Sequence, residues 1–331
     1  MELPLSVLDL SPVGFGVLPS QAIRESIEVA RTAEELGYTR YWFAEHHNMA
    51  SIAASAPEIL IAAVGAATSR IRLGAGGIMI PNHSPLHVVE VFRTLEALYP
   101  GRIDLGLGRA PGTDQIASAA LRRSDDPEVN HLLAEILAFE NNEFPEKHPF
   151  RQITPMPSDV RIGALWMLGS TLAGAAIAAQ LGVRYAFAGH FAMRQARDAI
   201  AHYRKNFKPS AQLAAPYAML AVTCVCGADD EDARRQAAPI RVAIVNTRTG
   251  KRQPIVSIDE ALARAADFSS EETAIADDFM LGAVIGGPKH VGSRLRELAL
   301  ELDADELMLS SLLPSLETRK ASLRRVAATM S

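Results

Sequence analysis

The chain has 331 residues, 48% of them hydrophobic and 21% charged, and a formal net charge of −5 at pH 7. This length suits one large α/β domain or two medium ones, and the apolar content is enough for a sizeable core. The negative charge argues against nucleic-acid binding, because no excess of basic residues is available to displace counterions from phosphates. No apolar run reaches the roughly 20 residues of a membrane-spanning helix, so we expect a cytoplasmic protein that does not act at membranes.

Strands and helices alternate along the first half of the chain. The helix after the first strand is predicted to be capped by Ser20 and closed by Gly37. Proline suits the first turn of a helix, so the next two helices are predicted to begin near Pro57 and Pro85. Short apolar runs predict strands at residues 5–10, 41–44, 71–78 and 103–108.

The alternation resumes in the second half. A helix is predicted over residues 128–139, and residues 111–163 and 241–282 are otherwise interpreted as two irregular insertions. Counting both halves, eight strand–helix pairs predict a parallel sheet closed into a single (β/α)8 TIM barrel over residues 1–331, with the insertions in βα-loops. The predicted strands of this half lie at residues 165–168, 185–188, 219–225 and 306–310.

Polar residues follow the strand at 41–44 without a break, as Glu45-His46-His47-Asn48. In a parallel barrel the carboxyl ends of the strands meet at one rim, where catalytic groups collect. A metal site is disfavoured, because adjacent residues of a strand point to opposite faces and two neighbouring imidazoles rarely share one ion. We expect at least one imidazole to act in the site, and a purely structural histidine pair is the alternative.

Glycines follow the third strand, in Gly74-Ala75-Gly76-Gly77. No helix begins directly after them, so the pyrophosphate site of a dinucleotide fold is not predicted. Consecutive residues without side chains offer a backbone surface on which a flat ring can lie. A bulge in a barrel strand would explain the same glycines.

Two further rim segments are candidates for binding an anion. Arg109 directly follows the fourth strand, where a guanidinium can hold a phosphate through two hydrogen bonds. In Leu168-Gly169-Ser170-Thr171 a strand turns into a helix, and free backbone amides with the helix dipole favour an anion there. A surface salt bridge of Arg109 and ordinary helix capping by Ser170 or Thr171 are the alternatives. One phosphate site and one flat-ring surface indicate a mononucleotide.

With these motifs the chain resembles the bacterial-luciferase-like, flavin-dependent monooxygenases over nearly its whole length. The most specific motifs are Glu45-His46-His47-Asn48 and the run Leu105-Gly106-Leu107-Gly108-Arg109-Ala110-Pro111-Gly112-Thr113-Asp114. The other matching segments are residues 55–58, 68–74, 81–85, 100–104, 168–170 and 304–308.

The resemblance implies a TIM barrel that binds reduced FMN, activates O2 at the flavin and oxidises a small organic substrate. It also implies a homodimer packed through helices of the first half and a non-proline cis peptide at Gly76-Gly77. His46 matches the histidine that acts as a base in the luciferases, and with Glu45 it forms the candidate catalytic pair. Residues implied to bind the cofactor are Ala75, Gly76, Gly77, Arg109, Leu168, Gly169, Ser170 and Thr171.

The sequence departs from this family at three places, one of which is Leu312-Leu313-Pro314, where relatives commonly have a more polar stretch. Gly174 replaces a residue of a serine-rich phosphate turn, so at least one hydroxyl contact to phosphate is missing. Gly108 stands where true luciferases have a reactive cysteine, so light emission is not expected.

We therefore expect a two-component monooxygenase in which a separate reductase uses NAD(P)H to supply reduced FMN. One alternative is a non-catalytic FMN-binding protein of the same fold. The other is a deazaflavin (F420)-dependent dehydrogenase, whose longer phosphate tail would need more basic groups than Arg122 and Arg123 provide.

Overall fold

The computed structural model describes residues 3–121 and 129–330. The first half of the chain follows the predicted order of strands and helices closely. Its elements are β1 (Leu5–Asp9), α1 (Pro19–Glu35), β2 (Arg40–Phe43), α2 (Pro57–Ala67), β3 (Arg72–Met79), α3 (Pro85–Leu98) and β4 (Ile103–Gly108).

The second half contains more helices than the sequence predicts. They are α4 (Gln115–Leu121), α5 (Val129–Asn141), α6 (Leu172–Leu181), α7 (Gly189–Ala192), α8 (Ala196–Asn206), α9 (Asp230–Arg248), α10 (Ile258–Ala266), α11 (Ser270–Phe279), α12 (Pro288–Glu301) and α13 (Leu316–Met330). Its strands are β5 (Ala164–Gly169), β6 (Arg184–Phe187), β7 (Ala218–Cys226), β8 (Val284–Gly286) and β9 (Glu306–Ser310).

Eight parallel strands close into a barrel. Each strand from β1 to β7 pairs with the next, and β9 closes the ring between β7 and β1. The register is continuous from β1 to β3, with Leu8 opposite Trp42 and Trp42 opposite Gly74. The short strand β8 pairs only with the end of β7, at Cys224 to Cys226, and stays outside the ring. The predicted (β/α)8 TIM barrel is confirmed.

The barrel interior changes in character from one end to the other. Near the start of the strands, Arg40, Asp104 and Glu306 form buried ion pairs. Beyond this level the interior is apolar, and Trp42 packs edge-on against Trp166 with ring centroids 5.1 Å apart. The alternate side chains, such as Tyr41 and Phe43 of β2, belong to the larger core under the surrounding helices. Because charged side chains fill the interior at the amino ends of the strands, the mouth of the barrel is at the carboxyl ends.

The predicted cap at Ser20 is wrong. Helix α1 begins at Pro19, and Leu18 occupies the N-cap position without a side-chain hydrogen bond. The fixed φ of proline suits the first turn, which places the helix start ahead of Ser20. The predicted closure at Gly37 is confirmed, because this residue follows the helix with a φ of +80°.

The prediction that residues 241–282 are irregular is wrong. Helix α9 continues through Pro239 to Arg248, and α10 and α11 fill most of the remainder. Ser257 and Ser269 cap these two helices, and Ser269 forms a capping box with Glu272.

Residues 111–163 also contain more helix than expected, because α4 precedes the predicted α5. The predicted α5 begins at Val129 in the described residues, and Glu128, Arg122 and Arg123 lie outside them. Among the described residues, no helix is long and apolar enough to cross a membrane.

Candidate active site

Glu45 is the anchor of the loop that follows β2. Its two buried oxygens accept hydrogen bonds from the Met79 amide at 2.8 Å, Asn82 Nδ2 at 2.9 Å, His83 Nε2 at 2.8 Å and His47 Nε2 at 2.9 Å. Burial acts to raise the pKa of Glu45, but the hydrogen bonds, led by that from His83, hold it below its usual value. The carboxylate is therefore ionised, and it ties the β2 loop to the end of β3.

His46 lies beside this anchor but has a different environment. Its backbone amide donates to the Ala54 carbonyl at 2.9 Å, which fixes the loop, while its ring Nδ1 is buried without a hydrogen-bond partner among the described residues. Burial lowers the pKa of His46 to about 4, with Glu45 opposing this shift and His47 adding to it. The imidazole is neutral at pH 7, so it can hold or accept a proton.

His190 is a site residue that the sequence reasoning missed. It lies on α7, directly after β6, and its Nδ1 is also buried without a partner in the described part of the chain. Burial lowers its pKa to about 4, and His46 contributes to the shift. The available signal was its position two residues beyond the end of a predicted barrel strand, at the catalytic rim.

Gly76, Gly77 and Gly106, here called the glycine surface, form a stretch of β3 and β4 that contributes no side chains of its own. The Gly76-Gly77 peptide is cis, as the family resemblance implies. A Cβ on Gly77 would lie 2.6 Å from the Gly106 carbonyl oxygen, and one on Gly106 would lie 2.1 Å from the Ala75 carbonyl oxygen. No side chain fits there, so the backbones of the two strands approach closely. The side chain of Ala75 packs in the outer core, so Ala75 can offer a ligand only its backbone.

Arg109 directly follows β4, and its guanidinium is available to bind a ligand. Within residues 3–121 and 129–330 its guanidinium makes no hydrogen bond or ion pair, so the alternative of a surface salt bridge is not realised there. The positive charge of Arg109 opposes the rise that burial causes in the pKa of Tyr185. The Tyr185 hydroxyl donates to the Thr171 carbonyl at 3.3 Å. Arg109 follows β4 and α6 follows the neighbouring strand β5, so both lie on the same part of the rim.

The turn from β5 into α6 leaves the helix start open. Thr171 is the N-cap residue, but its side chain accepts no hydrogen bond from the helix, so ordinary capping does not account for its hydroxyl. The first amides of a helix have no partner within it and can bind an anion. Gly174 packs against this turn, since a Cβ there would lie 3.2 Å from the Gly169 Cα. A residue with a side chain, such as serine, would therefore be crowded at position 174, where relatives supply a hydroxyl.

The structure brings most of the predicted site residues to one end of the barrel. The ends of β2, β3, β4 and β5 are adjacent in the ring, and they carry Glu45 and His46, the glycine surface, Arg109 and the open helix start. The arrangement can accept a flat ring on the glycine surface and one anionic group between Arg109 and α6. In the described residues, no three His, Cys, Asp or Glu side chains are grouped to hold a metal ion.

A family profile described as luciferase-like monooxygenase matches residues 3–304. The chain belongs to the luciferase-like monooxygenase family. A luciferase-like monooxygenase of Escherichia coli strain K12 is 39% identical over 312 residues, which cover 92% of this chain and 90% of the relative. The crystal structure of apo-MsnO8 has a TM-score of 0.90 at 35% identity and covers 99% of this chain and 98% of that one.

More distant structures of this family's fold differ in the cofactor that they use. The oxygenating constituent of 3,6-diketocamphane monooxygenase from Pseudomonas putida, in complex with FMN, has a TM-score of 0.72 at 16% identity, covering 99% and 97% of the two chains. An F420-dependent secondary alcohol dehydrogenase has a TM-score of 0.70 at 13% identity, covering each chain completely. At these identities the likeness concerns the fold alone.

Proposed function

We propose that this member of the luciferase-like monooxygenase family uses reduced FMN and O2 to oxidise a small organic substrate. The observation that carries the proposal is the guanidinium of Arg109, which has no partner within residues 3–121 and 129–330 and which follows β4, between the glycines of β3 and the open start of α6 after β5. FMN has one flat ring system, which suits the glycine surface, and one terminal phosphate, which suits the anion site formed by Arg109 and the start of α6. A separate reductase would supply the reduced FMN at the expense of NAD(P)H.

The residues of the chain divide the tasks of the site among them. Arg109 and the amides after Gly169 would hold the phosphate, and the backbone at Gly76, Gly77 and Gly106 would lie against the ring. Bound FMN supplies the reducing equivalents and the position at which O2 is activated.

The neutral ring of His46 is placed to accept or return a proton, a role worth roughly 10²–10⁴-fold in rate. Glu45, whose oxygens are occupied by four donors, holds the loop of His46 in place. Leu10, Ala44 and Leu168 line the mouth with apolar groups and exclude water from the reaction.

The proposal is tested by stopped-flow mixing of photoreduced FMN and protein with oxygenated buffer. We expect a protein-dependent transient absorbance before oxidised FMN returns, and a substrate-dependent product that contains oxygen from O2. His46→Ala should leave FMN binding within a few-fold while slowing turnover. Reoxidation at the rate of free reduced FMN, with no effect of the protein, would contradict the proposal.

A deazaflavin-dependent dehydrogenase is the second candidate, since an F420-dependent alcohol dehydrogenase shares the fold. It would transfer a hydride without O2 and bind F420 more tightly than FMN. Competition between the two cofactors for the purified protein separates these candidates. A non-catalytic FMN-binding protein would instead bind oxidised FMN tightly and form no O2-dependent product.

We also propose a homodimer formed through helices of the first half. Ile59 on α2 and Leu98 on α3 are 65% and 59% exposed in the single chain, which leaves apolar side chains uncovered on these helices. Sedimentation equilibrium should give twice the chain mass, and Ile59→Lys should shift the protein toward the monomer.

A further inference from the structure

His46 and His190 occupy opposite sides of the barrel mouth. His46 follows β2 and His190 follows β6, and these two strands are four positions apart in a ring of eight. Helix α7 holds His190 in place, because Gly189 packs so closely on β7 that a Cβ would lie 2.8 Å from the Ala221 carbonyl oxygen.

The barrel interior near the carboxyl ends of the strands contains apolar side chains such as Leu10, Ala44 and Ala221. His46 lies next to Glu45 and His47, and the ring of His190 packs edge-on against Phe191. Each ring nevertheless keeps one buried nitrogen, Nδ1, without a partner in the described residues. An unpaired buried polar atom costs free energy until a ligand satisfies it, so it marks a position where a polar group is expected.

We propose that His190 is a substrate-binding residue which, together with His46, holds the single polar group of an uncharged and otherwise apolar substrate. The chemical class is a molecule with a carbonyl or hydroxyl oxygen, since a neutral imidazole has one donor and one acceptor nitrogen. Neither ring offers a positive charge to a carboxylate or phosphate at neutral pH. This assignment rests on the proposed function and adds to it the kind of substrate.

The pairing also gives a reason for selectivity. A site whose buried polar groups are completed only by the substrate rejects an analogue of the same shape that lacks the polar atom. The two imidazoles follow strands on opposite sides of the barrel, so an oxygen bound by both would fix the orientation of the substrate. His190 thereby supplies a contact from the β6 side, which the other site residues, on β2 to β5, do not provide.

The test uses full-length protein with ¹⁵N-labelled histidine, with and without FMN. Three ketones of increasing size, cyclohexanone, acetophenone and 2-decanone, are titrated, and α-methylstyrene serves as the hydrocarbon analogue of acetophenone. We expect at least one ketone to shift the imidazole nitrogen resonances of both His46 and His190. If acetophenone binds, it should do so roughly tenfold or more tightly than α-methylstyrene.

Variants separate binding from structural support. His190→Ala should reduce the preference for the ketone to within about threefold while FMN affinity stays unchanged, and His190→Gln should retain part of the preference. His87→Gln, on the exposed face of α3, is the matched control and should behave as the unmodified protein. A ketone shift at His46 that persists unchanged in His190→Ala would overturn the proposal, as would the absence of any shift with all three ketones up to their solubility limits.

These outcomes are distinguishable from a failure of the proposed function. Failure of the unmodified protein to bind FMN would refute the proposed cofactor, but the titrations on FMN-free protein would still decide the role of His190. Conversely, FMN binding without any ketone effect would refute only the assignment of His190.

Discussion

Glu45 and His46 are adjacent in the chain but have opposite electrostatic environments. Four donors keep the Glu45 carboxylate ionised, whereas burial keeps the His46 ring neutral, and its Nδ1 has no partner among the residues that the structure describes. The sequence predicts both as catalytic, and the geometry favours separate roles. Glu45 positions the loop, and His46 is the residue with a free group to offer.

The neutral imidazoles predict how stability depends on pH. An unfolded histidine has a pKa near 6.5, while His46 and His190 have folded-state values of about 4. Between these values the unfolded chain binds more protons than the folded one, so stability falls as the pH is lowered from about 6.5 toward 4. At pH 5 each ring should contribute a loss of roughly 2 kcal/mol relative to pH 7.

Denaturant unfolding of the unmodified protein, His46→Gln and His190→Gln at pH 7 and pH 5 measures this effect. Each variant should lose less stability between the two pH values than the unmodified protein does. His87→Gln removes an exposed imidazole and should leave the difference unchanged. If all four proteins lost the same unfolding free energy between pH 7 and pH 5, the two rings would be protonated in the folded state at pH 5, which contradicts the prediction.

The free guanidinium of Arg109 predicts the strength of phosphate binding. A hydrogen bond to a charged group is worth about 1.5–3 kcal/mol, so Arg109→Met should weaken FMN binding by roughly 10- to 100-fold. The fold should be unaffected, since Arg109 has no partner in the described residues. Fluorescence titration with FMN measures the change, with Arg24→Met on the exposed side of α1 as the control. Unaltered affinity in Arg109→Met would place the phosphate elsewhere.

Helix starts differ in what their cap residues contribute. Ser269 forms a full capping box with Glu272 at α11, whereas the side chain of Thr171 makes no capping bond at α6. A cap that serves its helix is worth about 1 kcal/mol of stability. A cap residue that serves a ligand should instead matter for binding.

This contrast predicts opposite effects of two alanine variants on stability and on FMN affinity. Ser269→Ala should lower the unfolding free energy by about 1 kcal/mol and leave FMN affinity unchanged. Thr171→Ala should change stability by only a few tenths of a kcal/mol and weaken FMN binding several-fold. Thermal unfolding and FMN titration of both variants measure the two effects. The reverse pattern would make Thr171 an ordinary cap.

The success of the sequence prediction also varies between elements. Strands such as β4 and helices such as α2 were located correctly, because apolar runs and proline or glycine signals are local in the sequence. Helices α10 and α11 were missed although Ser257 and Ser269 are recognisable caps, because each helix is short, with nine and ten residues, and each buries a single alanine.

Long-range geometry accounts for the rest of what the sequence did not predict. His190 becomes a site residue only because β6 stands opposite β2 in the closed ring, and no local pattern contains that relation. That Arg109 finds no partner within the described ranges is equally a consequence of the folded geometry. By contrast, the position of Arg109 at the end of β4 could be predicted from the local sequence motif.

At the scale of the whole molecule, a buried cluster of charged side chains links the strands at their amino ends, which form the closed end of the barrel. Arg40 contacts Glu306 and Asp104, each at 2.9 Å, and Asp104 also pairs with Arg72 at 2.6 Å. Burial opposes the charge of Arg40, but Asp104 and Glu306 together raise its pKa. The cluster joins β2, β3, β4 and β9 across the interior.

Removing one acid from this cluster should leave a buried positive charge without compensation. Asp104→Asn is expected to lower the unfolding free energy by about 3–5 kcal/mol, because the desolvated Arg40 loses a partner. Glu28→Gln breaks an exposed pair with Arg31 and should change stability by less than about 1 kcal/mol. Denaturant unfolding compares the two variants. Similar small effects in both would show that water reaches the closed end of the barrel.

The central claim is that FMN binds at the open end, with its ring on the glycine surface and its phosphate held by Arg109 and the start of α6. A crystal structure of the protein grown with FMN tests this most directly. The account predicts electron density for the flavin ring against Gly76 and Gly77, with the phosphate within hydrogen-bonding distance of the Arg109 guanidinium and the amides that follow Gly169. Density for FMN at any other place on the molecule would contradict it.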